Sequence, residues 1–310
     1  MVEDSRPAAP PATGSSVPPL DEPSARSALD AACAAVGLDP RDAELIRIGE
    51  NGVFRLRSRP VVARVGRSAA QLAAAEQQLA VSRWLESEGV PATRVWDVEQ
   101  PVTVAGRVVT FWESAADDVR YGTTRELGEI LRRLHQLPAP TEPHLPDLDP
   151  FGATRRRIEH VPISDDDRRY LRSLCEKLTT AFEDLLFAGA PVVLHGDANV
   201  GNLILDRRGN PLLSDLDSFC VGPAEWDLVL TGMFYRRFGW HTTAEYQEFV
   251  RTYGRDILDW PGFEVLADVR ELLMVAWLAQ NAHDDAAAAE FAKRINSMRR
   301  GESRRHWSPF

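Results

Sequence analysis

Lysine is almost missing from this chain. It occurs only at Lys177 and Lys293, so nearly all of the 36 basic side chains are arginines and no ammonium side chain precedes Lys177. Cysteine is nearly as scarce. Cys33, Cys175 and Cys220 stand far apart, with no CxxC or Cys/His spacing that builds a tetrahedral metal site, and they read as reduced, mostly buried thiols. Long apolar runs are lacking too. The longest, Leu272 to Ala279, is far short of the roughly 20 residues of a membrane helix, and the N-terminus shows no basic segment followed by an apolar one. A cytoplasmic protein with no membrane partner is expected. Positive charge is in deficit: 36 basic against 46 acidic side chains leave a net charge of −10. That argues against a nucleic-acid partner, whose phosphates demand Lys and Arg, and would draw in a cationic ligand.

What is present describes an ordinary globular protein. With 310 residues, 44% hydrophobic side chains and eight Trp, the chain makes one large two-lobed domain or two small ones. Collagen-like, disulfide-scaffold and wholly disordered classes are excluded.

Residues 1–26 carry six prolines among Ala, Ser and acidic residues and are expected to form a disordered tail. A short helix over Ala28–Val36 precedes three strands, Leu45–Ile48, Val53–Leu56 and Val61–Val65, separated by turn residues. Ser68–Glu88 reads as a helix ending at Gly89, and Val102–Val104 and Arg107–Trp112 as two further strands. The remainder is helical: Thr123–Gln136, Asp165–Ala188, Trp226–Phe238, Thr243–Tyr253, Glu264–Ala282 and Ala286–Met298, with very short strands at Val192–Leu194, Leu203–Leu205 and Leu212–Leu213. A strand-rich first third followed by helices means α+β. The lobes are expected at 27–115 and 116–310.

The most informative segment is Leu194-His-Gly-Asp-Ala-Asn-Val-Gly-Asn-Leu-Ile-Leu205. Asp197 and Asn202 sit on a polar loop between two apolar strands, and Ser214-Asp-Leu-Asp217 follows after a hairpin containing Gly209. Oxygen ligands from Asn202, Asp215 and, more weakly, Asp217 suit Mg²⁺, which binds few protein oxygens and completes its shell with phosphates and water. Asp197 is then free to orient a substrate hydroxyl and accept its proton, the role of the catalytic-loop Asp in kinases. A lone DxD or HGD is usually a turn or cap; the information lies in their joint spacing.

These residues, with Gly222-Pro-Ala-Glu-Trp-Asp227 and the helix Leu127-Gly-Glu-Ile-Leu-Arg-Arg-Leu-His135, resemble the aminoglycoside phosphotransferase family, small-molecule kinases that share the protein-kinase fold. The resemblance covers roughly residues 40 to 300. It implies a two-lobed fold with a small antiparallel-sheet N-lobe that binds nucleotide and a larger helical C-lobe carrying the catalytic loop. It makes Asp197 the catalytic base, Asn202 and Asp215 the magnesium ligands, and His195 and Asp227 structural supports of the loop. Ile48-Gly49-Glu50-Asn51-Gly52-Val53-Phe54 is similar to the phosphate-covering hairpin, with Gly49 and Asn51 at its turn, and Trp112, Glu113 and Ser114 to the hinge that meets the adenine.

The chain departs from the family at Pro60-Val-Val-Ala-Arg64-Val65. Arg64 stands where the family carries a lysine that contacts the α- and β-phosphates and pairs with a helix glutamate, here Glu76. A guanidinium also grips phosphate and pairs with a carboxylate, which keeps the enzyme reading open and leaves the nucleotide preference unset.

The resemblance implies ATP or GTP and Mg²⁺, and a hydroxyl on a small-molecule acceptor of the aminoglycoside or other natural-product kind. Glu225, Asp259, Asp284 and Asp285 are weak candidates for attracting a cationic acceptor. Two alternatives stand beside it: a metabolic kinase for a sugar, amino alcohol or nucleoside, and a nucleotide-binding pseudokinase, which the arginine at position 64 favours and the complete Asp197, Asn202 and Asp215 set opposes.

Overall fold

Short apolar strands build the first sheet. In the computed structural model, which describes residues 20–49, 51–282 and 284–309, strands β1 (Glu44–Ile48), β2 (Asn51–Leu56), β3 (Val61–Gly66), β4 (Val102–Val104) and β5 (Arg107–Glu113) pair in the order β1-β2-β3-β5-β4, every neighbour antiparallel. Side chains on a strand alternate between faces. Val61, Ala63 and Val65 of β3 are accordingly buried, while Val62 and Arg64 are half-buried.

Helix α1 (Glu22–Val36) covers the inner face of this sheet. Its Ala25, Ala28, Leu29, Ala32 and Cys33 form one core with Phe54, Val61, Val109 and Phe111. This corrects the expected tail. Asp21 caps the helix by accepting the N–H of Ser24 at 2.9 Å, and Pro23 occupies the first turn, where its missing N–H leaves no intrahelical bond unmade. The proline read as a sign of disorder is a helix-start signal, and Ala25 is fully buried. Residues 1–19 of the expected tail lie outside the described residues.

Contacts divide the chain into two units. One takes in the chain up to Glu76 with Val95–Ser114, the other Gln77–Arg94 and everything from Ala115. The division falls within helix α2 (Leu72–Ser87), so the expected 27–115 lobe loses residues 77–94 to the second unit. There α3 (Thr124–Leu134), α4 (Gly152–His160), α5 (Asp165–Glu183), α6 (Glu225–Met233, continued by a π turn to Phe238), α7 (Thr243–Tyr253), α8 (Phe263–Gln280) and α9 (Asp285–Arg300) surround two small hairpin-like sheets. Strand β6 (Val192–Leu194) pairs with β9 (Cys220–Gly222), and β7 (Leu203–Leu205) with β8 (Pro211–Leu213). Helix α5 stops five residues short of the expected Ala188. Helix α4 and strand β9 have no counterpart in the expectation: α4 buries only Thr154 and Ile158 and therefore shows no apolar stripe.

Two features of this unit matter for the site. Helix α8 is buried along most of its length, with Leu266, Val269, Leu272, Val275 and Ala276 all fully buried, and it packs against α4, α5, α6 and α9. Helices α3 and α7 approach closely at Gly128, where an added Cβ would come within 3.1 Å of the Phe249 carbonyl. Among the described residues no helix is long and apolar enough to cross a membrane. All three cysteines are free and buried. Burial, with help from neighbouring acidic side chains, pushes the Cys33 and Cys220 thiols up to about 12.

Candidate active site

The chain leaves β6 at Leu194 and turns at once through His195, Gly196 and Asp197. Gly196 has φ +85°, and a Cβ there would lie 2.1 Å from the Ser218 carbonyl oxygen, so neither the backbone conformation nor the space admits a side chain. Three groups hold this turn from behind. Asp227, in the first turn of α6, accepts the N–H of His195 on Oδ2 at 2.7 Å and that of Gly196 on Oδ1 at 2.9 Å. Trp226 donates its indole N–H to the Gly196 carbonyl at 2.9 Å. His195 is fully buried and its Nε2 meets the Ser214 carbonyl at 2.9 Å.

Asp227 is itself wholly buried. An unpaired carboxylate there would cost several kcal/mol, and each hydrogen bond to a charged group returns about 1.5–3 kcal/mol. Burial alone would raise its carboxyl. The hydrogen bond and charge of His135, the charge of His195 and the His195 N–H outweigh it and hold the group below the ordinary carboxylate range. His135, just past the end of α3, places Nε2 3.1 Å from Asp227 Oδ2 and Nδ1 2.8 Å from the Tyr253 hydroxyl at the end of α7. His135 from α3 and Tyr253 from α7 thus stand together behind Asp227. Burial, then the negative charge of Asp227, pushes the Tyr253 hydroxyl up to about 12.

The Asp197 side chain is about half exposed, at 47%. Its Oδ2 accepts from Asn202 Nδ2 at 3.0 Å, and the same amide bonds the Asp197 carbonyl at 2.8 Å. Its Oδ1 accepts from Arg270 Nη2 at 2.7 Å. Asn199 closes the turn between them, accepting from Gly201 N at 2.8 Å and donating to the Asp197 carbonyl at 3.1 Å.

The β7–β8 pairing then brings the last member in. Ser214 N bonds the Asn202 carbonyl at 2.9 Å, so Asp215 follows directly beside Asn202. Asp215 is left-handed, φ 60° and ψ 61°, a conformation that Asp and Asn tolerate better than other side chains. Asp217 is exposed in the short turn Leu216–Ser218.

This donor set fits magnesium. Asn202 spends its amide N–H₂ on Asp197, which leaves its carbonyl oxygen for another partner, and Asp215 adds a carboxylate. Magnesium takes few protein oxygens and completes its shell with phosphates and water.

In the first unit, Gly49 is exposed at the end of β1 and its carbonyl accepts from Arg67 Nη2 at 2.9 Å. Asn51 opens β2 opposite Gly66. Arg64 is half-buried in the middle of β3, flanked by Val53 on β2 and Thr110 on β5, and Glu76 is exposed on α2. Trp112 is 4% exposed and its indole N–H bonds the Thr110 hydroxyl at 2.9 Å. Its ring therefore belongs to the interior. Glu113 is exposed opposite Val61, and Ser114 N bonds the Pro60 carbonyl at 2.8 Å.

The four acidic residues considered for a cationic acceptor are scattered. Glu225 is 1% exposed, paired with Arg255 at 2.8 Å and bonded by Ala188 N, which makes it an interior residue. Asp284 caps α9, accepting from Ala286 and Ala287 N–H, Asp285 is exposed in its first turn, and Asp259 is exposed in the turn before α8. Sequence reasoning did not single out His135, Trp226, Tyr253 or Arg270 as parts of the site. His135 and Trp226 stand inside recognisable motifs. The signal for Arg270 was a charged pair, Arg270-Glu271, within an apolar helix.

This fold and loop belong to the kinase-like phosphotransferases. Residues 42–268 match the phosphotransferase enzyme family, and the chain belongs to it. Solved structures agree in fold. An amicoumacin kinase, in complex with AMP-PNP and Ca²⁺, is 14% identical, with 87% of this chain and 91% of that one covered and a TM-score of 0.64. A microcompartment-associated aminopropanol kinase is 19% identical, with 89% and 94% covered and a TM-score of 0.66. An aminoglycoside phosphotransferase from Streptomyces rimosus is 21% identical, with 80% and 96% covered and a TM-score of 0.57. No curated protein matches the sequence.

Proposed function

We propose that this phosphotransferase moves the γ-phosphoryl group of ATP or GTP to a hydroxyl of a small molecule, with Asp197 as the base. The observation that carries the reading is the pair of hydrogen bonds that Asn202 Nδ2 donates to the Asp197 carbonyl and carboxylate, with Ser214, next to Asp215, bonded to the Asn202 carbonyl. One side chain thereby orients the base through its amide N–H₂.

Asn202 and Asp215 would hold the magnesium ion, with Asp217 as a further oxygen donor. When bound, the ion neutralises charge on the nucleotide phosphates. Asp197 accepts the acceptor's hydroxyl proton as the new O–P bond forms and the bond from the γ-phosphorus to the β-phosphate oxygen breaks, releasing the nucleoside diphosphate. The half-exposed carboxylate, gripped by Asn202 and Arg270, has lone pairs left for that proton. His195 and Asp227 keep the loop in shape. In the first unit, Arg64 supplies the charge on the phosphates with Glu76 as its partner, the turn at Gly49 and Asn51 offers backbone N–H groups, and the backbone of Trp112–Ser114 meets the base.

The acceptor is proposed to be an amine-bearing natural product, in keeping with the net charge of −10. An amino alcohol of metabolism is the second choice, favoured by the fold likeness to the aminopropanol kinase. The test is nucleoside diphosphate release with ATP and with GTP, with and without Mg²⁺, over aminoglycosides, macrolides, amino alcohols, sugars and nucleosides. Metal-dependent release stimulated by one class supports the reading. Silence throughout, with intact nucleotide binding, would make the chain a pseudokinase.

A further inference from the structure

Arg270 stands in the middle of α8 beside Val269 and one turn from Leu266, both fully buried, and is itself 5% exposed. A guanidinium keeps its charge in a protein interior and cannot escape the cost of burial by losing a proton. Its surroundings must therefore compensate it. Three partners do so, and all belong to the loop or its support. Nη1 donates to the Gly196 carbonyl at 3.0 Å, Nη2 donates to Asp197 Oδ1 at 2.7 Å, and the guanidinium lies over the Trp226 ring, 4.7 Å from its centroid. Trp226 gives its own N–H to the same Gly196 carbonyl.

The two bonds leave one planar group, so the carboxylate and the backbone of its own loop are locked to a common frame. A lysine has one ammonium point and cannot fix two acceptors in a plane. Asn202 holds the other carboxylate oxygen, and together the two side chains remove the rotational freedom of Asp197 while leaving it half open.

We propose that Arg270 is the positioning residue for Asp197, setting the orientation in which that carboxylate meets the acceptor hydroxyl. The inference rests on the phosphotransfer reading above, and it assigns to the centre of α8 a part in the reaction beyond packing.

The test is a double-mutant cycle on Mg²⁺-dependent ATP turnover, read as ADP formation with the best acceptor found or with water. Arg270→Met keeps an unbranched apolar stem in the buried helix while removing both hydrogen bonds and the charge over Trp226. Its kcat should fall about 10²-fold, the scale of a small misplacement of a reacting group, with the KM for ATP unchanged. Arg270→Lys should fall between Arg270→Met and wild type. Combined with Asp197→Asn, Arg270→Met should cost nothing further, because its effect passes through that carboxylate.

A wild-type kcat in Arg270→Met overturns the proposal. So does a double variant slower than Asp197→Asn by the full Arg270→Met factor, which marks a structural role independent of Asp197. Should Arg270→Met fail to fold by thermal melting, the same cycle with Arg270→Lys decides. If wild type and Asp197→Asn turn over ATP equally, the phosphotransfer reading falls and this inference with it. An active wild type with an equally active Arg270→Met removes this inference alone.

Discussion

Asp227 holds His195 by its backbone: the carboxylate accepts the His195 N–H at 2.7 Å while also facing His135 at 3.1 Å. The active loop is thus shaped from a buried charge behind it. Because the Asp227 carboxyl lies below its ordinary value in the folded chain, the unfolded chain takes up a proton first as pH falls. The stabilisation is complete above about pH 4 and is lost as pH drops through the folded value. Thermal melting from neutral pH downward should show wild type losing stability more steeply than Asp227→Asn in acid. At neutral pH Asp227→Ala should cost about 3 kcal/mol or more, the scale of removing one member of a buried pair. Equal acid slopes in wild type and Asp227→Asn would remove Asp227 as the cause.

Deleting residues 1–26 should lower the melting temperature by several degrees. It removes the Asp21 cap and the buried Ala25, and a lost cap alone costs about 1 kcal/mol. An unchanged melting temperature would mean that the first turn of α1 contributes nothing to the core.

The legible parts of this molecule are the local ones. Strand β3 alternates between its two faces, β2 and β5 stand out as short apolar runs, and the stretch from His195 to Asp217 has a spacing that can be counted. Misreadings arose where one signal serves two ends. Pro23 marks a helix start as readily as a tail. Glu225 shows why an acidic residue cannot be placed on a surface by type: Arg255 draws it inside. Arg270 reaches the loop from α8, and Tyr253 at the end of α7 reaches His135 behind Asp227. Only the folded chain brings such distant residues together, so no spacing announces them.

Asp215→Ala should weaken nucleotide binding in the presence of Mg²⁺ and leave the much weaker metal-free binding unchanged, because it removes an oxygen ligand. Asp215→Asn keeps a side chain that tolerates φ 60° and should match wild type in thermal stability while sharing the binding loss. Titration of nucleotide with and without Mg²⁺ reads the first effect and melting the second. An unchanged metal dependence in both variants would take Asp215 out of the metal site.

Arg64 tests the chain's departure from its family. Placed mid-strand on β3, it should lose about 10²-fold in kcat/KM as Arg64→Ala, because charge neutralisation and positioning carry most of phosphoryl transfer. Arg64→Lys should lose roughly tenfold, about 1.4 kcal/mol, and Glu76→Ala should also be impaired. Steady-state kinetics decide it, and wild-type activity in Arg64→Ala would leave the phosphates to another group.

The central claim is that Asp197 is the base, and Asp197→Asn tests it most directly. The substitution keeps the shape of the side chain and removes its charge and proton acceptor. Nucleoside diphosphate formation and nucleotide affinity should be measured on one preparation of each protein. The account predicts a kcat lower by about 10²-fold or more, the range of general-base removal, with nucleotide affinity within a factor of about two. A variant that keeps wild-type kcat would contradict it.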